Sequence, residues 1–148
     1  MSNDSGRVKV EFRLLRDEEG WPPADWEMLW AIPRGGGQFE LDNIPFFAKG
    51  VASGDLIAVV TQGERLIFDR LLSEGGHSTI RIIMYELSLK DSIREMLRGL
   101  GCETEGSHLP SLFAVDVPPS ADYQLVVSLL DEKARADILE YEESALRH

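Results

Sequence analysis

The chain opens on Val8-Lys9-Val10-Glu11-Phe12-Arg13-Leu14, where apolar and charged residues alternate without a fault. A period of two is the signature of a β-strand with one wet face, so a strand is predicted here. Gly20-Trp21-Pro22-Pro23 then breaks the pattern, because prolines offer no ladder donor. A second strand is predicted over Glu27–Ile32 and a third over Gln38–Leu41, with Gly35-Gly36-Gly37 as the hairpin between them. The triple glycine lacks the Lys-Ser/Thr and the helix that a phosphate loop needs, so the hairpin reading is preferred. Asp42-Asn43-Ile44-Pro45 reads as a turn, since Asx side chains bond their own backbone. Gly54-Asp55 leads into a fourth strand, Leu56–Val60, and Gln62-Gly63 into a fifth, Arg65–Leu71. Five short strands with regular turns point to a small, partly open barrel or a strongly curled sheet over residues 1–75.

The pattern changes after Gly76. Ser78–Tyr85 is a β-branched run of strand length, and Ser88, three residues before Asp91, reads as the N-cap of a helix. Leu89, Ile93, Met96, Leu97 and Leu100 form its apolar stripe, Lys90, Arg94, Glu95 and Arg98 its wet face, and Gly99 and Gly101 its stop. Cys102–Glu105 and Leu112–Val117 read as a hairpin, residues 122–135 as a second helix, and Ile138–Ser144 as a last strand. The order is βαββαβ, the ferredoxin-like split arrangement. The fold expected is therefore α+β, a barrel-like half (1–75) packed on a ferredoxin-like half (76–148).

In that arrangement the strands are expected in the order 4-1-3-2, with the first and third taken as parallel neighbours whose leading ends meet. His77-Ser78 and Ser107-His108 would then lie side by side. Alternation puts Ile80, Ile82 and Met84 under the helices and His77, Thr79 and Arg81 on the opposite face. If that face packs on the first half, the cluster sits in a seam, where pockets commonly form. Candidate ligand-binding residues are thus His77, Ser78, Arg81, Ser107 and His108, with Asp42, Asn43 and Trp26 as secondary candidates.

Composition narrows the chemistry. The 148 residues are 43% hydrophobic, enough for a real core. They carry 15 basic and 26 acidic residues, a net charge of -11, and the acidity is shared by both halves. Such a charge repels phosphate backbones and anionic lipid, which disfavours nucleic acid and membrane partners and favours a basic protein or a small ligand. Cys102 is the sole cysteine, which excludes an intramolecular disulfide and fits a reducing, cytoplasmic setting. The first residues carry no apolar signal segment, and no apolar run approaches the roughly 18 residues of a membrane helix.

The chain resembles a family of short, stand-alone bacterial proteins carrying only a domain-of-unknown-function label. The segments that carry the resemblance are Asp42-Asn43-Ile44-Pro45-Phe46-Phe47-Ala48, Gly76-His77-Ser78-Thr79-Ile80-Arg81 and Glu105-Gly106-Ser107-His108-Leu109-Pro110. The resemblance implies that these are family hallmarks and brings no activity, substrate or partner.

A His77/His108 pair could move protons, Arg81 could neutralise an anion, and Ser78 or Ser107 could act as a nucleophile with a histidine base. Against this, the chain has no Gly-x-Ser-x-Gly elbow, no His-Glu-x-x-His and no Cys-x-x-Cys, so no metal or other cofactor is expected. The plainer reading is structural: histidines bonded at loops, Arg81 paired with Asp116 or another acid, Cys102 a small strand residue, and the tryptophans packing. A non-enzymatic acidic binding protein, such as an immunity or regulatory protein that neutralises a basic partner, accounts best for the charge. The alternative is a protein that binds or hydrolyses a small anionic ligand through the His/Arg cluster. RNA binding on the open sheet is disfavoured by the missing basic, aromatic platform.

Overall fold

A computed structural model describes residues 6–148. The fold is mixed α+β with two sheets and two helices, and the chain divides into two units, Met1–Gly75 and Gly76–His148. Among the described residues no helix is long and apolar enough to cross a membrane.

The first unit has five strands: β1 (Val8–Arg13), β2 (Trp26–Gly35), β3 (Gln38–Leu41), β4 (Leu56–Gln62) and β5 (Arg65–Ser73). Successive strands pair antiparallel, and β1 meets β5 in parallel at Glu11↔Ile67, so every strand has a neighbour on both sides. Alternation turns Val10, Phe12, Leu29, Ala31, Leu41 and Ile57 into one core. Strand β2 runs through Pro33 to Gly35, three residues beyond the expected end, with a register shift at Pro33/Gly35. Gly35, Gly36 and Gly37 all have positive φ (85°, 62° and 77°), the region glycine enters without steric cost, and they make the β2–β3 hairpin turn. At Gly75 a side chain is barred for another reason: a Cβ would stand 2.4 Å from the Gly54 carbonyl oxygen.

The second unit contains β6 (Ser78–Met84), a 3-10 turn (Leu87–Leu89), α1 (Lys90–Gly99), β7 (Glu103–Gly106), β8 (Leu112–Val117), α2 (Tyr123–Arg135) and β9 (Leu139–Ala145). Its sheet runs β7-β8-β6-β9 and every pairing in it is antiparallel. Ile80, Ile82 and Met84 join Ile93 and Leu97 of α1 and Val126 and Leu130 of α2 in a single core. Asp122 caps α2, its carboxylate accepting from the Gln124 and Leu125 amides.

Three expectations about this unit need correction. Strands β6 and β8 are antiparallel, with Ser78 opposite Val117 and Ile83 opposite Leu112. A tight hairpin reverses the chain between β7 and β8, and a helical crossover makes β6 and β7 run alike, so the strand inserted between them must oppose both. Ser88 makes no cap: it lies in the 3-10 turn, and the N-cap of α1 is Leu89, without a side-chain bond. Arg94 does not simply face water. Its guanidinium lies 5.7 Å from the Phe113 ring centre and donates to Thr104 Oγ1 at 2.9 Å.

Candidate functional site

The antiparallel pairing decides where the candidate residues go. His77 precedes β6 at the sheet end where β8 finishes, whereas His108 lies in the β7–β8 turn at the other end. Seven residues of β6 separate the two ends, roughly 20 Å at 3.3 Å per residue. The expected imidazole pair therefore does not form. His108 is exposed, and Ser107 is a turn residue: its Oγ accepts from the Leu109 amide at 3.1 Å and lies 2.9 Å from the Leu112 carbonyl.

At the other end a different cluster forms. His77 Nδ1 stands 2.9 and 3.0 Å from the two oxygens of Asp116, a carboxylate only 3% exposed. Asp116 sits opposite Thr79 in the ladder, so its side chain falls on the face of β8 turned away from the core of Ile80 and Ile82. Burial raises the Asp116 carboxyl above its ordinary value, and the hydrogen bond and charge of His77 work against that rise. With Asp116 ionised, Nδ1 carries the hydrogen and donates it.

Ser78 Oγ is fully buried and 2.7 Å from His148 Nδ1. His148 Nε2 is 2.9 Å from the Pro118 carbonyl, which can only accept, so in the neutral ring Nε2 carries the hydrogen and Nδ1 receives the serine hydroxyl. The Ser78 oxygen in turn accepts the Arg147 amide at 2.8 Å. Tyr123 stacks on the His148 ring at 4.8 Å and donates to Glu143 at 2.5 Å. A serine beside an imidazole resembles a nucleophile and its base. Here the hydroxyl is buried, its hydrogen turned to His148 and its oxygen accepting the Arg147 amide, so the contact fastens residues 147 and 148 to the start of β6.

Arg81, 5% exposed, pairs with the Glu142 carboxylate across the β6–β9 ladder rather than with Asp116. Cys102 is buried, and burial pushes its thiol up to about 11, with the Asp116 charge adding to the rise. Among the described residues no group of three or more His, Cys, Asp or Glu is placed to hold a metal ion.

The secondary candidates lie in the first unit. Asn43 Oδ1 accepts the Trp30 amide at 3.1 Å, Asp42 is an exposed partner of Arg7 at 3.5 Å, and Trp26 is an exposed strand residue opposite Arg13. The segment they introduce has a clear role: the Phe46, Phe47 and Ala48 amides donate to the Glu27 carboxylate at 2.7, 3.1 and 2.9 Å. Sequence reasoning missed the roles of Asp116, His148 and Glu27. For Asp116 a signal existed, a lone acid inside the apolar Leu112-Phe113-Ala114-Val115-Asp116-Val117.

The profile of a family described as domain of unknown function DUF4265 matches residues 27–141, most of the chain. The chain belongs to that family. The match takes in all three hallmark segments, of which one holds the amide donors to Glu27 and another holds His77 and Ser78. A crystal structure titled as a novel structure of a hypothetical protein from Neisseria gonorrhoeae is similar to the whole chain. It has a TM-score of 0.81 and 23% identity over 100% of this chain and 99% of that one, a likeness of fold. None of the curated proteins matches.

Proposed function

We propose that the chain is a non-enzymatic acidic binding protein that engages a basic protein partner, as an immunity or regulatory protein does. The observation that carries this reading is the edge strand β9. Among the described residues it pairs only with β6, and along it Glu140, Glu142 and Glu143 are all exposed. Two of these carboxylates are held in place, Glu142 by Arg81 and Glu143 by the Tyr123 hydroxyl. An edge strand offers backbone donors and acceptors to an added extended segment, and carboxylates on both faces of this edge, Glu142 opposite Arg81 and Glu143 opposite Ile80, favour a basic one. Charges on an edge also guard against aggregation, so the reading leans as well on the net charge of -11.

The finer fold assignment belongs to the same reading. The ring of pairings from β1 round to β5 supports a closed barrel in the first unit. The order β7-β8-β6-β9 with two helical crossovers supports a ferredoxin-like second unit. A reduced, buried Cys102 suits a cytoplasmic setting.

The test is retention of proteins from a lysate of the source organism on the immobilised chain at low and at high salt. A basic protein held at low salt and released as salt rises supports the reading, because exposed charge pairs are screened. Retention of no basic protein, or retention insensitive to salt, contradicts it.

A further inference from the structure

The outer face of the first unit carries a concavity of about 410 Å³ where β1, β2 and β5 adjoin. The ladder dictates its make-up: Lys9 faces Trp30, Glu11 faces Met28, and Glu11 meets Ile67 of β5. Outward positions of a strand are normally polar, yet here Met28 is 43% exposed beside Trp30. The charged residues are unequally engaged. Glu11 is 4% exposed, and Arg65 Nη2 holds both of its oxygens, at 2.9 and 2.7 Å, with Arg13 at 3.5 Å. That negative charge is therefore neutralised within the wall.

Arg7 and Lys9 are the cations left to the concavity. Both lie over the Trp30 ring, at 4.8 and 4.9 Å from its centre, and the ring's negative face holds them there. Among the described residues Arg7 meets one carboxylate, Asp42 in an exposed pair at 3.5 Å, and Lys9 meets none within ion-pair distance. The lining also holds Glu64, so Arg7, Lys9 and Arg65 against Glu11 and Glu64 leave a net of +1, a local reversal of sign in a protein with a net charge of -11.

We propose that this concavity binds a small organic anion, a carboxylate on an apolar body. The carboxylate lies between the Lys9 ammonium and the Arg7 guanidinium, and the apolar part covers Met28 and Leu66. The volume falls in the range of small-molecule sites, which join an apolar lining to a few convergent polar groups. The site is built from residues of the first unit alone and takes a ligand of opposite charge, so it goes beyond the binding function proposed above.

The probe is 3-phenylpropionate, titrated into the full-length protein and followed by the amide and indole NMR signals of Lys9, Met28 and Trp30. Saturable shifts are expected at these residues. Binding should be at least about tenfold weaker for 3-phenylpropanol, which lacks the charge, and for inorganic phosphate, which lacks the apolar body. Lys9→Met, which keeps the stem and removes the ammonium, should weaken 3-phenylpropionate binding by about tenfold with the spectrum otherwise intact. The proposal is overturned by an absence of saturable shifts, by equal binding of the alcohol or of phosphate, or by an unchanged affinity in Lys9→Met.

Discussion

His77 Nδ1 lies 2.9 Å from Asp116 Oδ2, and this pairing of a half-buried imidazole with a buried carboxylate is the main contact of the candidate histidines. Removing His77 leaves Asp116 without that partner. His77→Ala should cost about 1–3 kcal/mol in urea unfolding, whereas His108→Ala, at an exposed turn, should change stability by less than about 0.5 kcal/mol. The pH dependence follows from the raised Asp116 carboxyl. A group whose folded value lies above its unfolded one favours the folded state below the unfolded value, here the ordinary 3.8, and loses that contribution as pH rises through the folded value. Because His77 opposes the rise, His77→Ala should enlarge the loss of stability as pH climbs from about 4 towards neutrality. Equal pH profiles for the two proteins would show that His77 does not govern Asp116.

Glu27 accepts three consecutive amides, so its carboxylate closes the turn after Asp42-Asn43-Ile44-Pro45. Glu27→Ala strands those donors and should destabilise the first unit by about 2–4 kcal/mol. Glu27→Gln, which keeps one acceptor oxygen, should cost roughly half as much. Loss of hydrogen-exchange protection at residues 46–48 in both variants is the specific readout.

Helix α2 ends with the Ile138 amide on the Lys133 carbonyl and the Asp137 amide on the Ala134 carbonyl, each at 3.0 Å. This is the Schellman pattern, whose left-handed position glycine normally fills; here Asp137 holds it with φ of 59°. Asp137→Gly should relieve that conformation and raise stability by about 0.5–1 kcal/mol, visible as a higher Tm.

Cys102 should resist thiol reagents in the native protein and react at once in denaturant, because it is buried and its thiol is raised to about 11. The folded state keeps the proton longer than the unfolded state. Its contribution is therefore full below the ordinary value of 9.0 and lost as pH rises towards 11, a change of up to about 3 kcal/mol. Cys102→Ala should flatten that part of the stability profile; an unaltered alkaline profile would refute the assignment.

The elements were legible in the chain because strand and helix periods are local. Val8–Arg13, Gln38–Leu41 and Leu112–Val117 follow directly from alternation or continuous apolarity. Strand direction is not local, because it depends on how a hairpin and a crossover combine, and the separation of His77 from His108 follows from it. The contacts of Asp116 with His77 and of Ser78 with His148 join residues 39 and 70 positions apart, which no periodicity encodes. Helix phase alone puts Arg94 in water, whereas its long stem bends over Phe113.

If carboxylates on the β9 edge recruit a basic partner, reversing their charge should weaken binding. Glu140→Lys combined with Glu143→Lys, checked for folding by circular dichroism, is compared with Glu18→Lys combined with Glu19→Lys, exposed acids of the first unit. Affinity for the salt-released basic protein should fall at least tenfold in the edge variant and by less than about twofold in the control. Equal affinity in both variants would contradict the account.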